Sequence, residues 1–215
     1  MNKYRLLIVA LGLVLNSTSV LADPVTKTKA QPVPDLVNGK RLHRTCALCH
    51  GRWSQGIKGG RYPRLAGRSQ ASLQKELHDF RQGIRSSQAM NVVGRVKQLT
   101  DQDMLDLNAY IASINLDEKY PLDIPPLKAS NAEKGEELFQ GDCKTCHGKK
   151  AQGRDSKDSP RLAGQRTGYM LRQIKMFRKH DRDHDNDPED ETFVDYSNQD
   201  IHDIMAYIAT LDDKK

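Results

Sequence analysis

Apolar residues recur at intervals of three and four along much of this chain, which is the spacing of helices with one buried face. Four stretches show the pattern, at residues 69–82, 100–114, 167–179 and 197–211. Two shorter helices are predicted ahead of them, at 38–45 and at 132–142, the second beginning at Ser130 or Asn131. The pattern therefore predicts an all-α fold.

The chain also repeats itself at an offset of 97 residues. Pro-Arg-Leu-Ala-Gly and Tyr-Ile-Ala each occur twice at this offset, at 63–67 and 160–164 and at 110–112 and 207–209. Such self-similarity indicates a duplicated unit. We expect two tandem domains, at 23–118 and 129–215. The segment between them, 119–128, is predicted to be an extended linker, because its prolines break helices.

Residues 1–22 have the pattern of a secretory signal peptide. Lys3 and Arg5 precede the apolar run 6–15, and small residues lead to a predicted cut after Ala22. The apolar run is too short to span a bilayer comfortably. We therefore expect a periplasmic protein without a transmembrane segment in its mature chain. A retained membrane anchor is the alternative.

All the cysteines of the chain lie in two Cys-x-x-Cys-His motifs. These are Cys46, Cys49 and His50 in the first half, and Cys143, Cys146 and His147 in the second. Such paired thiols can bond the two vinyl groups of a porphyrin, and the adjoining histidine then lies under the iron. The motifs predict two covalent haem c groups. Thioredoxin-like redox pairs, a zinc site and disulfides are the alternatives, but a redox pair does not explain the histidines.

The motifs together resemble the two-haem cytochrome c4 family. Each Cys-x-x-Cys-His is followed by Pro-Arg-Leu-Ala-Gly, by a helix ending in Phe and by a closing helix with Tyr-Ile-Ala, over about residues 37–211. The resemblance implies two cytochrome c-like domains that shuttle electrons from a dehydrogenase or quinol-linked donor to a terminal oxidase or reductase. It also implies that Met90 is the second axial ligand of the first iron, opposite His50, which favours a fairly high potential.

The second half departs from the family pattern. The position equivalent to Met90 is Asp187, and no methionine lies between residues 177 and 199. This loop instead contains His180 and His184, and two histidines on one iron would lower its potential relative to His/Met. We favour His184 as the sixth ligand. His180, an open or water-bound iron and a methionine reached by rearrangement are the alternatives. The aspartates of the loop fail the calcium pattern of an EF-hand.

Charge is divided unevenly along the chain. Residues 23–120 carry 16 Lys and Arg against 9 Asp and Glu, a net charge of +7, whereas residues 121–215 carry 16 against 19, a net charge of −3. This asymmetry predicts docking through the basic first domain onto an acidic redox protein, periplasmic or membrane-bound. The basic residues are scattered, so nucleic acid is not an expected partner.

The sequence favours an electron carrier rather than an enzyme. The alternative is peroxide or small-ligand chemistry at a second haem that lacks a methionine ligand. The chain is also compatible with being the cytochrome subunit of a larger dehydrogenase. The carrier and the enzyme differ in the sixth ligand of the second iron, whereas co-purification with a dehydrogenase would identify a subunit.

Overall fold

The computed structural model describes residues 32–116, 127–184 and 187–211. The predicted signal peptide, with its cut after Ala22, lies outside the described residues, as does most of the predicted linker. No helix within these three ranges is both long and apolar enough to cross a membrane.

Seven α-helices dominate the described ranges, and they confirm the predicted all-α fold. In chain order they are α1 (Leu36–His50), α2 (Gln70–Gln82), α3 (Asp101–Ala112), α4 (Ala132–Leu138), α5 (Lys144–His147), α6 (Thr167–Phe177) and α7 (Asn198–Thr210). Single π-helical turns lie at Ala89–Val93 and Phe139–Cys143. All four predicted apolar stripes form helices, because each has one face that its own half buries.

The starts of three helices are set by capping side chains. Ser69 caps α2, and Thr100 and Ser197 form capping boxes with Asp103 and Asp200 at the starts of α3 and α7. Each hydroxyl accepts a hydrogen bond from a backbone N–H that the first helical turn leaves unpaired. The caps account for the agreement between the predicted and observed helix starts.

Helix α1 packs closely against α3. Gly39 permits the contact, since a Cβ there would clash with the backbone carbonyl of Asp106. The side chain of Asp106 is buried and accepts hydrogen bonds from the backbone N of Asp35 at 2.8 Å and from Asn38 at 2.7 Å. Helix α1 continues to His50, whereas the predicted helix ended at residue 45, so the first cysteine pair is helical.

Helix α4 packs against α7 in the same way. A Cβ at Gly135 would clash with the backbone carbonyl of Asp203. The buried side chain of Asp203 accepts a hydrogen bond from the backbone N of Asn131 at 2.7 Å. Asn131, rather than Ser130, is the N-cap of α4, because its side chain accepts hydrogen bonds from the first turn.

The π-helical turn Phe139–Cys143 accommodates one additional residue in the second half. Seven positions separate Gly39 from Cys46, whereas eight separate Gly135 from Cys143. A π-turn closes over one more residue than an α-turn does. The predicted helix at 132–142 is therefore interrupted by this turn, and helical structure resumes as α5.

The two halves contact each other where α6 begins. Gly60 lies so close to this helix that a Cβ there would crowd the backbone of Gly168 and Tyr169. The guanidinium of Arg172 donates hydrogen bonds to the carbonyls of Gly60 and Arg61. Backbone of the first half therefore packs directly on a helix of the second.

Candidate haem sites

A cavity lies beside each Cys-x-x-Cys-His motif. The cavity of the first half has a volume of about 290 Å³, and that of the second half about 270 Å³. Apolar side chains from the amphipathic helices line both. In the first cavity these include Leu65, Leu73, Leu77, Phe80, Leu107 and Ile111, and in the second Phe139, Leu162, Met170, Ile174, Phe177 and Ile204. The buried faces of the helices thus surround an interior space rather than only each other.

The two motif histidines are held in the same way. His50 and His147 are buried, and the Nδ1 of each lies 2.9 Å from a backbone carbonyl, that of Pro63 and that of Pro160 respectively. A carbonyl can only accept, so each Nδ1 carries the proton and each Nε2 carries the lone pair. Burial lowers the pKa of His50, and the hydrogen bond to Pro63 opposes this shift. The neutral imidazole is the form that coordinates a metal.

The motif cysteines are unpaired thiols that line the same cavities. Burial raises the pKa of Cys46 and of Cys143 to about 11. A redox-active pair requires a lowered thiol pKa, so this environment does not suit thioredoxin-like chemistry. Within the described ranges no three His, Cys, Asp or Glu side chains converge as metal ligands.

Met90 lies on the π-helical turn Ala89–Val93, and its side chain lines the first cavity together with His50. Gly94 closes this turn, and a Cβ there would approach the backbone carbonyl of Met90 to 2.6 Å. The structure thus brings together the two residues that the family resemblance pairs on the first iron. Met176 of α6 lines the same cavity from the second half.

His184 lines the second cavity together with His147. The centres of the two rings lie 6.2 Å apart, with an angle of 36° between their planes. The His184 ring also contacts Phe177 and Phe193, at 5.0 Å and 4.9 Å between ring centres. Its Nδ1 lies 2.7 Å from Oδ2 of Asp190. Thus His184 is held on several sides by its own half.

The other predicted candidates lie elsewhere. His180 is exposed, has a left-handed backbone with φ of 54°, and is not part of the cavity wall. Asp187, the position equivalent to Met90, is exposed. Met170 and Met205 do line the second cavity, but they are buried within α6 and α7 as part of its apolar core.

Three arginines lie between the two cavities, and the sequence did not indicate that they would lie together. Arg68, Arg85 and Arg182, here called the arginine cluster, line both cavities, as do Glu76 and Tyr169. The carboxylate of Glu76 pairs with Arg85 and, at 3.2 Å, with Arg182. The repeat contained the signal that could have identified two of them, because Arg85 and Arg182 are equivalent positions.

The arginine cluster is half-buried, and its charges affect one another. Burial lowers the pKa of Arg85 to about 10. Burial also raises the pKa of the Tyr169 hydroxyl, but the three nearby guanidinium groups outweigh this effect, so its pKa lies below the usual value. Three guanidinium groups this close together, each partly shielded from water, favour anionic groups beside them.

The residues present fit haem. The cavity walls are apolar, as a porphyrin ring requires, and each cavity contains a thiol pair and a neutral histidine. Haem also carries two carboxylates, which need partners when they are buried. The Nε of Arg68 is buried without a hydrogen-bond partner among the described residues, and Arg68 faces both cavities. This guanidinium is suited to haem carboxylates.

Comparison with known proteins gives a consistent result. The family model described as cytochrome c matches the chain twice, over residues 36–115 and 132–212. The chain is 30% identical over 192 residues to cytochrome c4 of Pseudomonas aeruginosa, which covers 85% of this chain and 91% of that one. It is 29% identical to the thiosulfate dehydrogenase electron acceptor of Stutzerimonas stutzeri, over 79% of this chain and 80% of that one.

The fold agrees with a solved structure. The crystal structure of reduced recombinant cytochrome c4 from Pseudomonas stutzeri superimposes with a TM-score of 0.70 at 28% identity. The match covers 83% of this chain and all of that one. Both halves of the chain therefore have counterparts in a solved structure.

Proposed function

This chain belongs to the cytochrome c family as a two-haem member of the cytochrome c4 type, and from that premise we propose that it carries electrons between redox proteins of the periplasm. Its cytochrome c4 relatives are electron carriers and not enzymes, so peroxide or small-ligand chemistry is not part of the proposal. The observation that supports it best is the wall of charged residues shared by the two cavities. Two redox centres separated by one side-chain layer suit electron transfer within the molecule.

Haem supplies an iron that exchanges one electron between its ferric and ferrous states. We assign the covalent attachment to Cys46 and Cys49 in the first half, and to Cys143 and Cys146 in the second. His50 and His147 would hold the irons from the motif side, each oriented by its proline carbonyl. Met90 would complete the first site, since it shares the first cavity with His50. The arginine cluster would partner the haem carboxylates.

The family matches also support the proposed division of the chain. Domains at 23–118 and 129–215 each contain one match, and the linker at 119–128 lies between the two matched ranges. A cleaved leader at 1–22 would direct the mature chain to the periplasm. The proposal therefore describes an exported protein of two haem domains in tandem.

A dehydrogenase is the proposed donor. One relative is named for accepting electrons from thiosulfate dehydrogenase, so an enzyme that oxidises a small sulfur anion is the first donor to test. An oxidase or reductase, periplasmic or membrane-bound, is the proposed acceptor. Ile84, Val92 and Val93 are exposed apolar side chains in the half that carries the net positive charge. Val93 lines the first cavity, and Ile84 lines the second. Exposed apolar side chains on a positively charged half suit a short-lived complex with an acidic protein.

The test uses the chain secreted from a host that attaches haem c. We expect the mass of the processed chain plus two haems, and reduction of both haems by a thiosulfate dehydrogenase with thiosulfate. Reduction rates should fall as ionic strength rises, since docking is partly electrostatic. A colourless product at the mass of the bare chain would refute the proposal, and rates insensitive to salt would refute docking through the basic domain.

A further inference from the structure

The second cavity contains a histidine where the first contains a methionine. Met90 and His184 each line the cavity of their own half, together with the motif histidine of that half. They belong to loops that precede the closing helices α3 and α7. The two halves therefore place different side chains at corresponding places in the fold.

The distance between His147 and His184 suits a metal between them. Metal–imidazole bonds are about 2 Å long, and the centre of each ring lies roughly 1 Å beyond the nitrogen, so rings on opposite sides of one metal lie about 6 Å apart. The observed separation of the ring centres is 6.2 Å. The spacing therefore leaves room for one atom bonded to both.

Asp190 and two phenylalanines hold the His184 ring. Its Nδ1 lies 2.7 Å from the carboxylate of Asp190, so Nδ1 donates to Asp190 and Nε2 is the ring nitrogen left for a metal. Phe177 and Phe193 contact the ring, and the side chain of Asp190 is only 11% exposed. A carboxylate on the far nitrogen orients a metal-ligating histidine and makes it a stronger donor.

The competing side chains in this half are less well placed. Met170 and Met205 are buried within α6 and α7, where they pack in the core of the second half. His180 is exposed and is not part of the cavity wall.

We propose that His184, positioned by Asp190, is the second axial ligand of the second haem, opposite His147. This assignment rests on the proposed two-haem function and adds that the two haems differ in midpoint potential. The second haem has two imidazole ligands and the lower potential, and the first has a methionine and the higher potential. Electron transfer from the second half to the first would then be thermodynamically favourable.

The ligand is tested by spectroscopy of the holoprotein. The wild-type protein should contain two low-spin ferric haems, with the weak far-red absorption band of methionine ligation arising from one of them. In His184→Met this band should double in intensity, and the second midpoint potential should become more positive while the first stays unchanged. In His184→Ala, one haem of two should become high-spin and bind carbon monoxide when reduced, and added imidazole should restore the low-spin state.

His180→Asn is the matched control, because asparagine tolerates the left-handed backbone of that position. It should leave the spectrum and both potentials unchanged. The ligand assignment is overturned if wild-type protein already binds carbon monoxide at one haem, if its far-red band corresponds to two methionines, or if His184→Ala keeps both haems low-spin.

The role of Asp190 is tested separately. Asp190→Asn keeps a hydrogen-bond acceptor but removes the charge, so both haems should stay low-spin while the second potential alone becomes more positive. Asp190→Leu removes the acceptor, and the electron paramagnetic resonance signal of the second haem should broaden or become partly high-spin. Asp187→Asn changes an exposed carboxylate of the same loop and serves as the control. Equal shifts in Asp187→Asn and Asp190→Asn would refute a positioning role.

The outcomes separate this inference from the proposed function. If no haem is attached, the proposed function fails. If two haems are attached and accept electrons, but the His184 variants match the wild-type spectrum, only the ligand assignment fails.

Discussion

Gln165 and the backbone of Arg64 exchange two hydrogen bonds across 101 residues of sequence. The N–H of Arg64 donates to Oε1 of Gln165 at 3.0 Å, and Nε2 of Gln165 donates to the carbonyl of Arg64 at 2.9 Å. Both residues are buried, at 4% and 6% exposure. The side-chain amide of Gln165 thus supplies hydrogen bonds that this backbone segment of the other half would otherwise form with water. These bonds help to hold the two halves together.

Gln165→Ala should destabilise the contact between the halves. The substitution removes both hydrogen bonds that Gln165 makes with the buried backbone of Arg64, and the loss of a buried partner costs about 1–3 kcal/mol for each bond. Denaturant unfolding of the holoprotein, followed by the circular dichroism of the haem bands, should show a lower midpoint. Gln82→Ala, at an exposed glutamine near the end of α2, is the control. Equal midpoints for the two variants would contradict the role assigned to Gln165.

Replacing Met90 should alter the first haem only. Met90→His should abolish the far-red band and lower the first midpoint potential, because a thioether is exchanged for an imidazole. Met176→Leu is the matched control, since Met176 lines the same cavity from α6. Potentiometric titration monitored by absorption checks both. A far-red band that survives in Met90→His and disappears in Met176→Leu would assign the ligand to Met176 instead.

Preventing haem attachment should unfold the half concerned. The first cavity measures about 290 Å³, and an empty cavity costs about 24 cal/mol per Å³, or at most roughly 7 kcal/mol. That is comparable to the whole stability of a small domain. The double variant Cys46→Ser and Cys49→Ser should therefore lose helical circular dichroism from the first half while the second haem stays bound. Unchanged helical circular dichroism in this double variant would contradict the expectation.

Asp200 should contribute to stability in a defined pH range. Hydrogen bonds from Lys134 and then from Ser197 lower the pKa of Asp200 to about 2, against an ordinary value of 3.8. Because the folded pKa is the lower one, the stabilisation is complete above 3.8 and is lost as pH falls towards 2. Asp200→Asn should flatten the dependence of the unfolding free energy on pH in that range, whereas Asp195→Asn, at an exposed carboxylate, should not. Parallel curves for Asp200→Asn and wild type would argue against this contribution.

Local patterns predicted what depends on local chemistry. The stripe ending in Phe80 and the caps at Thr100 and Ser197 were sufficient to place α2, α3 and α7, because spacing and capping are short-range properties. The motif likewise identified His50 and His147, since each follows its cysteine pair directly. These features need no knowledge of which segments meet in three dimensions.

Contacts between distant segments were not predictable in this way. The arginine cluster draws one member from the second half, so no stretch of sequence contains it. The same applies to Gln165, which has no distinguishing local pattern. For the sixth ligand of the second iron, the sequence left His184, His180, an open iron and a methionine as alternatives. Contacts with Phe177 and Phe193 then distinguish His184 from the exposed His180.

The π-helical turn at Phe139–Cys143 has an evolutionary consequence. It absorbs a length difference of one residue between the anchored start of α4 and Cys143, so neither has to move. The segment beside the second motif can therefore differ in length from its counterpart in the first half while both of its ends keep their places in the fold. Such tolerance gives the duplicated halves freedom to diverge, as their different complements of methionine and histidine illustrate.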